Sequence, residues 1–422
     1  MERSLARTSI EQLRAGVPSR MAADVLSAGR GRIMADIAED LRSVQEGHAR
    51  RSMRIVAANY GDGKSHMLQA VRNLAEAERF LTSVLTVSRE SPLDRVDRVY
   101  RKLVTGTFFP GVDRPGLDPL WQAIERSGEA SERLLRIAQT RLHPKLAAVL
   151  EARFDGARGD PDPLDRDLAG YLLALPDLRR AYLDNTGRKL GQIERFKLDA
   201  SFDYLRLVAE AAAIAGLSGW VILIDEAEMI GSVGRRARAR SYDFLGRLQD
   251  AKALPRTYSV VAVAASFQQT LADPLKEITD LPLWLVERGD GELAGRIEGP
   301  IRQLQGAPNL PPLTESDLVQ VFDGIVRLHA EAFGWSPPLD GKALLTRIRV
   351  PLRERDIKVR QLVRAAVHFL DLYRVYGVEP ELRVHGLAEP VMVPEAEAEA
   401  ESEAAAAAEP PDGGAVRRDW DG

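Results

Sequence analysis

Two rhythms of hydrophobic residues alternate along the chain. Short apolar runs occur at 52–59 (SMRIVAAN), 80–88 (FLTSVLTVS), 219–228 (GWVILIDEAE) and 258–266 (YSVVAVAAS). The third and fourth are continuously apolar, which fits strands covered on both faces by helices in a parallel sheet; the second alternates enough to be a strand. Elsewhere apolar residues recur at helical spacing. RIMADIAEDLRSV places Ile33, Ile37 and Leu41 on one face, and Met67, Leu68, Val71 and Leu74 form another after the first strand. The order strand, glycine-rich loop, helix predicts an α/β fold built on a parallel sheet.

The same rhythms divide the chain. Residues 1–45 read as a helical segment interrupted at Gly16–Pro18. Residues 46–310 carry the four strand runs, with a helical stretch at about 108–200 that we read as an insertion rather than a separate domain, because the strand pattern resumes after it. Residues 311–387 are helical again and form an expected lid. Thr314 is its expected N-cap, with Asp317 three residues on, close to a capping box. Residues 388–422 are rich in Glu, Ala and Pro and are expected to be disordered.

Composition narrows the classes. At 422 residues, 45% hydrophobic and 28% charged, the chain is an ordinary globular sequence with room for two or three cores. It has no cysteine, which excludes disulfides, thiolate zinc sites and cysteine nucleophiles. No apolar run approaches the roughly 18 residues of a membrane span, and MERSLARTSIEQLRAGV lacks the apolar block of a secretory signal. A cytoplasmic protein that does not engage a membrane is the expectation. The net charge of −4 hides an asymmetry: from Glu395 onward nine acidic residues face Arg417 and Arg418, so the tail carries −7 and residues 1–394 carry +3. That is too mild to argue nucleic-acid binding from charge alone.

The loop ANYGDGKS holds the chemistry. A phosphate loop needs a strand feeding it, backbone N–H groups free to face oxygens, and a helix N-terminus behind it. Its usual signature is Gly, four residues, then Gly-Lys-Ser/Thr. Here Ala58 stands at the first glycine, followed by Asn59, Tyr60, Gly61, Asp62, Gly63, Lys64 and Ser65. Alanine is tolerable there if the backbone is ordinary. Lys64 is the residue expected to reach the β- and γ-phosphates, and Ser65 to ligate Mg²⁺. The plain alternative is a tight turn with a solvated lysine.

WVILIDEAE supplies the second element, since burying its apolar run puts Asp225 and Glu226 at a strand's C-terminal edge, where ligands bind in open α/β sheets. Asp225 is the expected Mg²⁺ partner and Glu226 the expected general base, so the catalytic candidates are Lys64 and Glu226. The nucleotide is ATP rather than GTP, for no Asn-Lys-x-Asp pattern occurs. Glu228 reads either as a metal helper or as a solvated or helix-capping acid. Ser266 or Gln268 could sense the γ-phosphate or simply meet solvent, and Arg360 could reach the nucleotide from the lid or sit on an exposed helix face. The arginines of GRRARARSYDF (234–244) read three ways: a finger to a neighbouring subunit, a nucleic-acid contact, or a solvated loop. His66 caps or packs beside Ser65. The six histidines show no metal spacing, and no Ser-His-Asp set or glycosidase pair is identifiable.

Several of these pieces resemble one family. ANYGDGKSHML is similar to the GxYGxGKSHxL loop of the P-loop ATP-binding proteins of bacteriophage-exclusion (BREX) systems, the BrxC/BrxD type. IEQLRAGVPSR resembles that family's N-terminal helix, RFLTSVLTVSRESPLDRVDRVYRKL its second strand and VILIDEAEMI its acidic strand. LPPLTESDLVQVFDGIVRLHAEAFGW resembles the start of its lid and VRQLVRAAVHFLD the last lid helix, so the likeness spans 8–376 in pieces. It implies an AAA+-like P-loop ATPase in a defence or DNA-transaction setting, with Lys64, Ser65, Asp225 and Glu226 in the roles above and Ala58 as the departure. The nucleotide-binding set is then Ala58 through Ser65 with His66.

Together these readings describe an ATPase whose core and helical lid share ATP and Mg²⁺, so that binding and hydrolysis alter their orientation. Other defence-system or DNA-processing proteins are the expected partners, with direct DNA contact and self-association left open. The rivals are a nucleotide-gated scaffold with negligible turnover, against which an intact Glu226 argues, and a small-molecule kinase whose acceptor pocket the insertion would build.

Overall fold

The computed structural model describes residues 3–17, 19–48, 51–154, 183, 198–349 and 358–380. The expected acidic tail, and residues 155–182 and 184–197 of the expected insertion, lie outside the described residues. Helices α1 (Arg3–Arg14), α2 (Arg20–Leu26) and α3 (Gly31–Gln45) precede β1 (Met53–Ala58), α4 (Lys64–Ala77) and β2 (Leu81–Thr86). There follow α5 (Val96–Thr105), β3 (Thr107–Phe108), α6 (Asp118–Glu125), α7 (Gly128–Arg141), α8 (Pro144–Phe154) and α9 (Leu198–Ile214). Next come β4 (Trp220–Asp225), a 3-10 turn (Ala227–Ser232), α10 (Arg235–Leu248), β5 (Thr257–Ala264) and α11 (Ala265–Ala272). The described chain closes with α12 (Asp280–Val286), α13 (Gly291–Gln305), α14 (Glu315–Phe333), α15 (Gly341–Arg349) and α16 (Val359–Tyr376).

The strands form one sheet in the order β1-β5-β4-β2-β3. All its pairings are parallel except that of the two-residue edge strand β3, which the sequence rhythm did not reveal. β5 separates β1 from β4, with Ala58 opposite Ala264 and Thr86 opposite Asp225. This is the P-loop NTPase fold: a glycine loop joins the first strand to its helix, and an acidic strand ends on the same edge.

The apolar runs look continuous because both faces are buried, yet a period of two persists beneath them. Trp220, Ile222 and Ile224 enter one core with α5–α9 and α10, while Val221 and Leu223 enter another with α3 and α4. Two buried polar pairs stitch elements together across the sheet. Trp220 Nε1 donates to Ser83 Oγ (2.8 Å), and the Tyr258 hydroxyl donates to Asp40 (2.7 Å), tying α3 to the sheet.

A third core lies off the sheet. Ala6, Ile10 and Leu13 of α1 and Ala22 and Leu26 of α2 pack with α14, α15 and α16. The N-terminal helices thus share a core with the C-terminal ones, and Arg14 makes a two-pronged pair with Asp371 of α16 at 2.9 Å. The expected capping box is present: Thr314 N donates to Asp317 Oδ2 (2.8 Å) and Asp317 N to Thr314 Oγ1 (3.2 Å). No helix of the described residues is long and apolar enough to cross a membrane.

The acidic strand enters the sheet through Gly219. Its φ is +155°, and an added Cβ would lie 2.2 Å from the Arg256 carbonyl oxygen. That carbonyl accepts the Trp220 N–H (2.9 Å), so it cannot withdraw without unpairing the strand's first residue. Gly219→Ala is therefore expected to destabilise the fold by about 2 kcal/mol or more. An unchanged thermal midpoint would show that the strand start is softer than this packing implies.

Candidate active site

Ala58 is the last residue of β1 and is 3% exposed, its side chain packed in the core beneath α4. Its φ is not positive, unlike those of Gly61 (+83°) and Gly63 (+93°). The first glycine of the usual signature is therefore dispensable here, whereas the two nearer the helix are not. At Gly63 nothing lies within 4 Å of an added Cβ, so the requirement is one of conformation alone. At Gly61 an added Cβ would also meet Lys358 Cβ at 2.9 Å.

Gly63 caps the N-terminus of α4, and Lys64 and Ser65 occupy its first turn. Lys64 is 8% exposed, and its Nζ donates to the Ala58 carbonyl (3.1 Å). A backbone carbonyl offsets the burial of an ammonium only in part, which leaves this cation suited to an anion. Ser65 Oγ donates to Asp225 Oδ2 at 2.5 Å. Asp225 Oδ1 accepts the Glu226 N–H (2.9 Å), which fixes the carboxylate from both sides. Glu226 itself has φ +58°, an unusual conformation for a side-chain-bearing residue. Partial burial, then the negative charges of Asp225 and Glu228, push its carboxyl above the ordinary glutamate range, while Lys64 pulls it down.

Except for Ala58, which is not among its lining residues, these residues line a cavity of about 380 Å³. One wall is polar: Gly61 to His66, Asp225, Glu226 and Glu228. The other is apolar and was not foreseen from sequence, being built by Leu13, Val17 and Leu26 from the N-terminal segment and Leu313, Val359 and Val363 from the C-terminal one. Arg30 joins the two halves. It is buried, and its guanidinium donates to the carbonyls of Asp62 (3.1 Å) and Pro311. Burial lowers its pKa, opposed by Asp62 and Asp317.

The remaining expected residues fall as follows. Arg360 touches the loop, its N–H donating to the Gly61 carbonyl (3.3 Å) and its guanidinium to the Tyr60 hydroxyl (2.7 Å). The Asn59 carbonyl accepts the Asp62 N–H within the turn (3.2 Å), and the Asn59 side chain is not among those lining the cavity. His66 lines the cavity, and burial lowers its ring pKa against the opposing pull of the Ala23 and Leu26 carbonyls. Glu228 accepts the Ala264 N–H (2.9 Å), so it caps α11. Ser266 and Gln268 are not brought to the cavity: β5 ends at Ala264 and both lie on α11, Ser266 exposed and Gln268 donating to the Ala307 carbonyl (2.6 Å). GRRARAR is helical rather than a loop, since it opens α10, with Arg238 buried against Glu277 at 2.6 Å.

The donor set fits a nucleotide and its metal. A glycine-framed helix N-terminus with a buried lysine suits phosphates. The hydroxyl of Ser65 and the carboxylate of Asp225 are oxygen ligands of the kind Mg²⁺ takes alongside water and phosphate oxygens. The apolar wall suits a planar base.

Comparison with known proteins agrees with this chemistry. The family model for the BREX system ATP-binding protein BrxC/D matches residues 1–109 and 120–379. Among solved structures, a Walker-type ATPase of Pyrococcus abyssi aligns at 12% identity with a TM-score of 0.38, covering 81% of this chain and 67% of that one. That likeness is too loose to bear on fold or activity. No curated protein matches the chain.

Because the Glu226 carboxyl is raised, ionising it costs the folded state more than the unfolded one. The cost is fully present above the raised folded value and vanishes as pH falls below the ordinary glutamate value, where both states are protonated. Glu226→Gln is thus expected to raise the thermal midpoint at pH 8, with the gain shrinking to nothing near pH 4. A gain independent of pH would assign the effect to something other than this carboxyl's ionisation.

Proposed function

The chain belongs to the family of BREX system ATP-binding proteins of the BrxC/D type, and we propose that it hydrolyses ATP with Mg²⁺ in the cavity between sheet edge and lid. ATP binding in a phage-defence system is the family's own character. Hydrolysis and the roles of single residues are our reading.

The observation that carries it is the Ser65–Asp225 hydrogen bond, which joins loop and acidic strand across 160 residues of chain. In this reading the loop N–H groups and Lys64 hold the phosphates, replacing the Ala58 carbonyl as partner of Nζ. Ser65 and Asp225 hold Mg²⁺, which when bound neutralises charge on the phosphate oxygens. Glu226 takes a proton from the attacking water, and its raised pKa brings it nearer the working range of a general base. Arg360, resting on Tyr60 and Gly61, is the residue through which the lid feels the state of the loop.

The cavity draws its walls from core, N-terminal helices and lid. A change of occupant therefore bears on all three, and we assign the output to movement of the α1–α2 and α14–α16 unit against the sheet. Other proteins of the defence system are the recipients of that movement.

Lys64→Ala is expected to abolish ATP binding, whereas Glu226→Gln keeps binding and lowers turnover by on the order of 10²-fold or more. Calorimetric titration and phosphate release measured on both variants check this. Tight binding with no turnover in the wild-type protein would favour a nucleotide-gated scaffold. Full turnover by Glu226→Gln would remove the base from this carboxylate.

A further inference from the structure

The nucleotide cavity makes no use of the arginines that open α10. Arg238 is committed to the buried pair with Glu277 and to the Val233 carbonyl (2.8 Å). Arg235, Arg236 and Arg240 are exposed and make no ion pair or hydrogen bond among the described residues. At about 100° per residue these three fall within one sector of the helix, roughly 140° wide. A second set stands on α5, where Arg98 and Lys102 are exposed and equally without such partners, and Arg95 at the N-cap pairs with Asp97 (3.3 Å).

Topology brings the two sets together. β2 and β4 are adjacent and parallel, so the segments leaving their C-terminal ends emerge on one edge of the sheet. α5 follows the first and α10 the second. The Asp94 carboxyl, pushed up by burial, is pulled down by a backbone hydrogen bond and then by Arg95, Arg240 and Arg98, so Arg240 of α10 acts on the same carboxyl as Arg95 and Arg98 of the α5 set. Asp94, Asp97 and Glu277 offset part of this charge, and the remaining cations repel one another unless a partner supplies negative charge. The aromatic residues of these helices, Tyr100, Tyr242 and Phe244, are all buried. A single strand needs exposed rings on which its bases stack, whereas a duplex presents a phosphate backbone with one charge per about 1.7 Å of axis.

We propose that the exposed basic faces of α5 and α10 form a docking surface for the phosphate backbone of double-stranded DNA. The surface shares no residue with the cavity, so the inference stands or falls apart from the nucleotide reading. The contacts are to phosphates, so affinity is independent of sequence and falls steeply with salt.

The test is fluorescence anisotropy of a labelled duplex of arbitrary sequence with the full chain, without nucleotide, at 50 and 200 mM salt. The expected result is binding that weakens on the order of 10²-fold across that range, as about four phosphate contacts require. The Arg235→Glu/Arg236→Glu/Arg240→Glu variant is expected to lose at least about 10-fold in affinity at 50 mM salt while titrating ATP like the wild type. Arg302→Glu/Arg327→Glu/Lys342→Glu, with the same change in net charge on other exposed positions, should bind DNA far better than the α10 variant. Should the α10 variant lose its helical signal, Arg98→Glu/Lys102→Glu on α5 carries the same expectation. No binding at 50 mM salt, equal losses in the control, or preference for a single strand of equal length would each overturn the assignment. Intact DNA binding with a loss of concentration-dependent ATP turnover would also overturn it, and would give the arginines to a neighbouring copy's nucleotide.

Discussion

The hydrogen bond from Ser65 to Asp225 can form only if β1 and β4 end level with each other in one sheet, with β5 between them. Registers between parallel strands fix that level: Ala58 stands opposite Ala264, and β4 follows β5 from Trp220 opposite Thr257 to Ile224 opposite Val261. A slip of one residue would turn every side chain of a strand to the opposite face and send the buried set of β4 into the wrong core. The apolar packing that stabilises the sheet therefore also sets the geometry of the polar site. Glu228 extends the same constraint, since its carboxylate accepts from the end of β5 and ties the segment after Asp225 to the neighbouring strand.

Around this junction the chain closes a circle. α1 and α2 come first in sequence yet bury their apolar faces with α14, α15 and α16, which come last. α2 also meets the loop helix, for Arg20 Nε donates to Asn73 Oδ1 and Asn73 Nδ2 donates to the Arg20 carbonyl, both at 3.1 Å. Arg30 then ties the loop's Asp62 to Pro311, a few residues before α14. These polar links, with those of Arg360 to Gly61 and Tyr60, hold the apolar half of the cavity over the glycine loop. Each is a small interaction, on the order of 1 kcal/mol, so together they permit a relative movement that the sheet itself does not.

Strands and loop were legible in the sequence because both are local signals. A parallel strand buried on two faces reads as an apolar run wherever it occurs, and Gly61 and Gly63 mark backbone conformations that other residues avoid. Ala58 was the apparent defect, and the structure explains it by an ordinary backbone and a buried methyl. The apolar wall was not legible. Leu13 and Val17 belong to an amphipathic segment whose pattern states that one face is buried, but not against what. Arg30 gave no signal, because its partners are backbone carbonyls. The end of β5 was misplaced by two residues, since Ala265 and Ser266 continue an apolar and small-residue pattern that strand and helix share. The arginine run was read from charge alone as a finger to a neighbouring subunit, a nucleic-acid contact or a solvated loop; its helical geometry came from Gly234 opening α10 and from Arg238 finding Glu277 far along the chain.

The claim on which the rest depends is that Ser65 and Asp225 complete a site for ATP together with Mg²⁺. Calorimetric titration of ATP into the wild-type protein, once with Mg²⁺ and once with the metal chelated, addresses it directly. Binding at about one ATP per chain that tightens at least about 10-fold with Mg²⁺ is the expected result. Equal affinity in the two titrations, or no heat in either, would contradict it.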